Sequence, residues 1–126
     1  MNFIAAIIAG LIAFMIGGLW YSVLFGKAWQ KEIKITDEQI KAAGSDTPQM
    51  IAAVIVEVIV SLCVFFLLTH TDLNVLCAGA VIGLISVFSS LKNYFFEMKS
   101  IKLIFINESY RMICFIVMAT AAYFFN

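Results

Sequence analysis

Pro48-Gln-Met-Ile-Ala-Ala-Val-Ile-Val-Glu-Val-Ile-Val-Ser-Leu-Cys-Val-Phe-Phe-Leu-Leu-Thr69 is apolar almost throughout. Its length is about that needed to cross a ~30 Å hydrocarbon layer at ~1.5 Å of rise per residue. A barrel strand would be shorter and would alternate apolar with polar residues, and this stretch does neither. It reads as a transmembrane helix. Thr47 can cap it, and Pro48, the only proline in the chain, suits the first helical position, where no N–H is required.

Three further stretches share this character: Phe3–Phe25, Leu73–Leu91 and Leu103–Phe125. The expected fold is an all-α membrane protein, a four-transmembrane-helix bundle forming a single transmembrane domain over residues 1–126. Composition agrees, with 63% hydrophobic residues and a mean hydropathy of +1.03, well above an ordinary soluble domain. Eight basic and eight acidic side chains cancel without a run of either sign, so no nucleic-acid footprint is present and the lipid bilayer is the first partner to consider. No Lys or Arg precedes the first stretch, which is also too long for a cleaved signal peptide and is expected to stay in the mature protein.

The link between the first two spans carries most of the polar residues. Within it Thr36-Asp-Glu-Gln39 reads as a capping box that opens a short helix over about 36–44, and Ile33, Ile35 and Ile40 suit it to the membrane surface. His70, Thr71 and Asp72 alone join spans two and three, which makes these antiparallel neighbours. Tyr94-Phe-Phe-Glu97 is expected to be an interfacial segment with its rings at headgroup depth. Lys27, Lys31, Lys34 and Lys41 occupy the first link and Lys92, Lys99 and Lys102 the third, with none in the second. By the positive-inside rule those two links are cytoplasmic and both termini lie outside.

Small residues recur at helical spacing on two spans: Ala6, Gly10, Ala13 and Gly17 on the first, Gly79, Gly83, Ser86 and Ser90 on the third. Such rows let membrane helices approach closely. The matching rows hint at a two-helix unit used twice, and the Gly79/Gly83 pair serves either a dimer or a neighbour in its own chain.

Three ionisable residues interrupt the spans, each costing on the order of 2.5–3.5 kcal/mol at mid-membrane unless paired or hydrated. Glu57 and Arg111 both fall about 13 Å along helices that start from the same face, and Glu108 shares a helix face with Arg111. The expectation is an intramembrane charge cluster of Glu57, Glu108 and Arg111, with Asn107, Ser61 and Tyr110 as hydrogen-bonding candidates. The alternative is that Arg111 reaches the headgroups beside Glu108 while a protonated Glu57 bonds to a helix carbonyl.

Cys63, Cys77 and Cys114 lack metal or redox spacing and read as buried structural thiols. His70, the only histidine, has no second ligand for a haem or metal, so neither a cofactor nor a metal is expected. No nucleophile, base and oxyanion set is visible either.

Gly17-Gly-Leu-Trp-Tyr-Ser22 followed by Leu24-Phe-Gly-Lys-Ala-Trp29 resembles the N-terminal signature of the bacterial membrane family known as domain of unknown function 1761. The stretch from Phe96 to Tyr110 is similar to that family's second motif, departing at Ser109, where a glycine precedes the tyrosine. The resemblance covers most of the chain and implies a compact multi-span protein of the bacterial inner membrane, with no assigned activity. Trp20, Tyr21, Trp29 and Tyr110 are then either interface anchors or the lining of a pocket. A proton- or cation-handling transporter or channel-like homo-oligomer with an unknown small-molecule or ion ligand is one expectation. A non-transporting assembly subunit is the contrasting one, and a lipid-acting enzyme the third.

Overall fold

The computed structural model describes residues 1–44 and 47–125, and among these every regular element is helical. Helix α1, Phe3–Leu19, is capped by Asn2, whose Oδ1 accepts from the Ala5 N–H at 3.0 Å. It continues through a π-turn at Trp20–Leu24, in which the Phe25 N–H donates to the Trp20 carbonyl five residues back at 2.8 Å. Helix α2, Gly26–Ile33, follows and ends at Lys34, whose left-handed φ of 61° stops the helix. Helix α3, Asp37–Ala42, opens with both halves of the Thr36/Gln39 capping box in place, at 3.2 and 2.8 Å. The long helices α4, Thr47–Thr69, α5, Val75–Phe96, and α6, Ile101–Phe125, complete the chain. With α1 and its π-turn, they give four helices long and apolar enough to cross a membrane. The protein is therefore an α-helical membrane protein.

The elements differ from the sequence expectation at three points. Helix α2 was not expected, because its mixed composition hides a helix inside the polar link. Helix α5 runs to Phe96, so Tyr94, Phe95 and Phe96 belong to the helix and not to the link. Spans two and three, although joined by a short link, are not packed neighbours: α4 and α5 make few contacts with each other.

Packing instead follows the small residues. Helix α1 lies between α4 and α6, and α5 packs on α6. A Cβ on Gly10 would stand 2.8 Å from the Val58 Cα of α4, and one on Gly83 would press on Met112 and Phe115 of α6. A Cβ on Gly79 would collide with that of Ala119. The Gly79/Gly83 pair is thus occupied within its own chain. Lipid tails are as apolar as these side chains, so such close approach supplies van der Waals contact where the hydrophobic effect contributes little.

The main buried cluster lies toward one end, with Leu103, Ile106 and Glu108 buried separately in the first half of α6. Ala6, Ala9, Val64, Phe65, Leu68, Ala78, Met118 and Ala122 close the bundle toward the His70–Asn74 link, and the Ser61 hydroxyl donates to the Ala6 carbonyl at 2.6 Å inside it. Toward the other end the first half of α4, including Met50, Ile51, Ile55 and Val56, is exposed. The bundle is closed at one end and splayed at the lysine-bearing end. Cys114 is buried as expected, but Cys63 and Cys77 are exposed on the outer surface of the bundle. Apolar solvation of a thiol there comes from lipid, which is why apolar surroundings in the sequence did not mean burial.

Candidate functional site

Between the diverging halves of α4 and α5 lies a cavity of about 810 Å³, floored by α6 and walled by α1 and α2. Gln49 and Met50, at the start of α4, line it, so it extends toward the lysine-bearing end. Glu57 of α4 and Arg111 of α6 both line it, together with Tyr21, Trp29, Tyr94, Asn107 and Tyr110.

The π-turn carries Tyr21 of this lining and, next to it, Trp20. By inserting one extra residue per turn it rotates Trp20 and Tyr21 onto α6. There the Trp20 indole donates to the Ile106 carbonyl and the Tyr21 hydroxyl to Asn107 Oδ1, each at 2.8 Å. Gly26, which follows, has no room for a Cβ, since one would lie 2.9 Å from the Tyr21 carbonyl oxygen. Trp29 then returns from α2 to meet the Tyr21 ring edge-on at 5.5 Å. Tyr110 meets the same ring at 5.5 Å from the other side. Both are the favoured T-shaped geometry. The aromatic residues of the first motif thus form one continuous wall, with hydrogen bonds that tie α1 to α6.

Of the three intramembrane charges, two are paired. Arg111 Nε lies 3.1 Å from Glu108 Oε2, one turn away on the same helix, and its Nη1 donates to Ser86 Oγ on α5 at 3.4 Å. Glu108 is buried, and neither of its oxygens accepts a well-directed hydrogen bond, so its link to Arg111 is ionic contact alone. No ion pair within 4.0 Å joins Arg111 to Glu57, although they line one cavity. The neighbour of Glu57 is Tyr110, whose hydroxyl donates to the Ala13 carbonyl at 2.8 Å and stands 3.5 Å from Glu57 Oε1. Ser61 faces the closed core and does not join the cluster. Sequence reasoning did not assign Tyr94 to the site; its spacing of four from Ser90 and eight from Ser86, both on one face of α5, was the available signal.

Gly10, Gly17, Gly79 and Gly83 all serve packing. Gly17 bears directly on the site, because a Cβ there would lie 2.5 Å from the Tyr110 hydroxyl. Ser109 lies elsewhere, in a cleft of about 270 Å³ that Trp20, Phe25, Lys102 and Ile106 help to line. His70 is remote from the cavity, its ring stacked beside Phe66 at the closed end.

The chain matches the family described as Protein of unknown function (DUF1761) over residues 4–123. It belongs to the DUF1761 family. No curated protein and no solved structure matches it. The DUF1761 match spans the π-turn, the aromatic wall and all three intramembrane charges.

Proposed function

We propose that this DUF1761 protein is a small proton- or cation-coupled transporter or channel-like protein in which Glu57 is the working acid. One observation carries the reading: a cavity among the membrane-spanning helices reaches Glu57, while Arg111, the cation in its described lining, is already matched by Glu108. An unpaired carboxylate at that depth costs on the order of 2.5–3.5 kcal/mol, and either a proton or a bound cation offsets that cost. The two compete for one carboxylate, which is the minimal requirement for coupling. Tyr110 is placed to donate to the ionised form by turning its hydroxyl from the Ala13 carbonyl.

With the lysine-bearing links taken as cytoplasmic, the Gln49–Met50 end of the cavity lies on the cytoplasmic side and the closed end faces outward. The test is flux in proteoliposomes under an imposed proton gradient. Glu57→Gln is expected to abolish it while the protein stays folded and monodisperse, and an undiminished flux would overturn the reading.

A second reading, that of a non-transporting assembly or stabilising subunit, has one observation in its favour. Arg111 reaches Ser86 across helices, so the charges on α6 also hold α5. On that reading Arg111→Ala loses a co-purifying partner or a homo-oligomer, whereas Glu57→Gln is silent in every flux assay.

A further inference from the structure

The chemistry of the lining narrows what the cavity accepts, on the reading of Glu57 just given. At about 810 Å³ it has room for roughly 27 waters at ~30 Å³ each, far more than a single hydrated inorganic ion needs. Its size falls in the ~300–1,000 Å³ range typical of sites for drug-sized organic molecules. Among the described residues no group of three or more His, Cys, Asp or Glu side chains converges, so a divalent metal lacks ligands.

Charge then fixes the sign of the ligand. The lining holds no lysine, and the Arg111 guanidinium is neutralised by Glu108 at 3.1 Å. Among the described lining residues, the Glu57 carboxylate is left as the one charge without an ion pair. The rings of Tyr21, Trp29 and Tyr110 meet at 70° and 81° with centroids 5.5 Å apart, which makes a corner of aromatic surfaces beside that carboxylate. Such surfaces attract an onium or ammonium group within ~6 Å of a ring centroid, most strongly where water is scarce. Phe14, Val56 and Met118 supply apolar walls for the remainder of the molecule.

We infer that the cavity binds a lipophilic organic monocation, a hydrophobic amine or quaternary onium of drug size, with Glu57 as its counter-ion and the Tyr21–Trp29–Tyr110 corner as its aromatic contact. With Arg111 already matched by Glu108, Glu57 is the one carboxylate in the lining, which sets the cavity for one cationic centre.

Tetraphenylphosphonium and tetraphenylborate are near-identical in shape and opposite in charge, so the pair isolates sign from size. Equilibrium dialysis of each against the purified full chain in detergent, corrected with empty micelles, is expected to give saturable phosphonium binding at one site per chain. Borate is expected to bind at least tenfold more weakly, and Glu57→Gln to weaken phosphonium at least tenfold without weakening borate. Borate binding as well as phosphonium, or phosphonium binding indifferent to Glu57→Gln, would overturn the inference. Should the variant fail to fold, the ratio of the two probes on the wild-type chain decides alone. A Glu57-dependent proton flux without phosphonium binding sinks this inference and spares the transport reading. Saturable, Glu57-dependent phosphonium binding without any flux does the reverse.

Discussion

A hydrogen atom where other residues carry a methyl lets the Tyr110 ring lie against α1 at Gly17 and reach the Ala13 carbonyl. Gly17→Ala is therefore expected to push the ring out and to destabilise the fold by about 1–3 kcal/mol, measured as a lower midpoint of detergent-driven unfolding. Tyr110→Phe keeps the ring and loses only the hydrogen bond, about 0.5–1.5 kcal/mol. An alanine variant as stable as wild type would mean that Gly17 has no such role. At this scale the sequence was legible in part. The Glu108–Arg111 contact follows from a spacing of three, and the similar depth of Glu57 and Arg111 follows from counting residues along two helices. Tyr110 as a hydrogen-bonding candidate was legible too, but that Arg111 forms no ion pair with Glu57 was not, because it depends on how each helix is turned about its own axis. The thiols make the same point: Cys114 is buried while Cys63 and Cys77 are exposed, although all three sit in equally apolar sequence.

Elements were the most legible level, because a run of about twenty apolar residues has few alternatives to a spanning helix. The π-turn at Trp20–Leu24 escaped notice, since an i to i+5 hydrogen bond leaves no periodic mark in five residues. Deleting Ser22 restores the ordinary repeat and turns everything after it by about 100°. Trp29 then leaves Tyr21, and its fluorescence is expected to shift toward that of a water-exposed indole; an unchanged spectrum would argue that the turn does not aim the ring. The extension of α5 through Phe96 was hidden because aromatic residues at a span end commonly mark an interface. Gly79→Leu offers a test of the α5–α6 contact. With the glycine packed inside its own chain, the substitution is expected to lower the stability of the isolated chain, whatever its oligomeric state. Stability unchanged alongside a dissociated oligomer would return the pair to a dimer interface.

For the whole molecule, the splay of α4 from α5 was beyond the sequence, since a short link fixes where two helices join but not the angle between them. The closed and open ends predict a pattern of water access. In a cysteine-free background, Gln49→Cys and Met50→Cys are expected to react with a charged, water-soluble thiol reagent, whereas Val64→Cys and Leu68→Cys remain inert. Reaction at Leu68 with none at Met50 would reverse the polarity assigned to the cavity. The placing of the main buried cluster toward one end also has a mechanical consequence. From its contact with Gly10 at Val58 back to Thr47, α4 is a largely exposed arm about 16 Å long at ~1.5 Å per residue. A swing of only about 10° at the packed end therefore carries its tip through about 3 Å, roughly the thickness of an aromatic ring. The molecule has the proportions of a clothes peg, in which a slight yielding at the spring becomes a full stroke at the jaws.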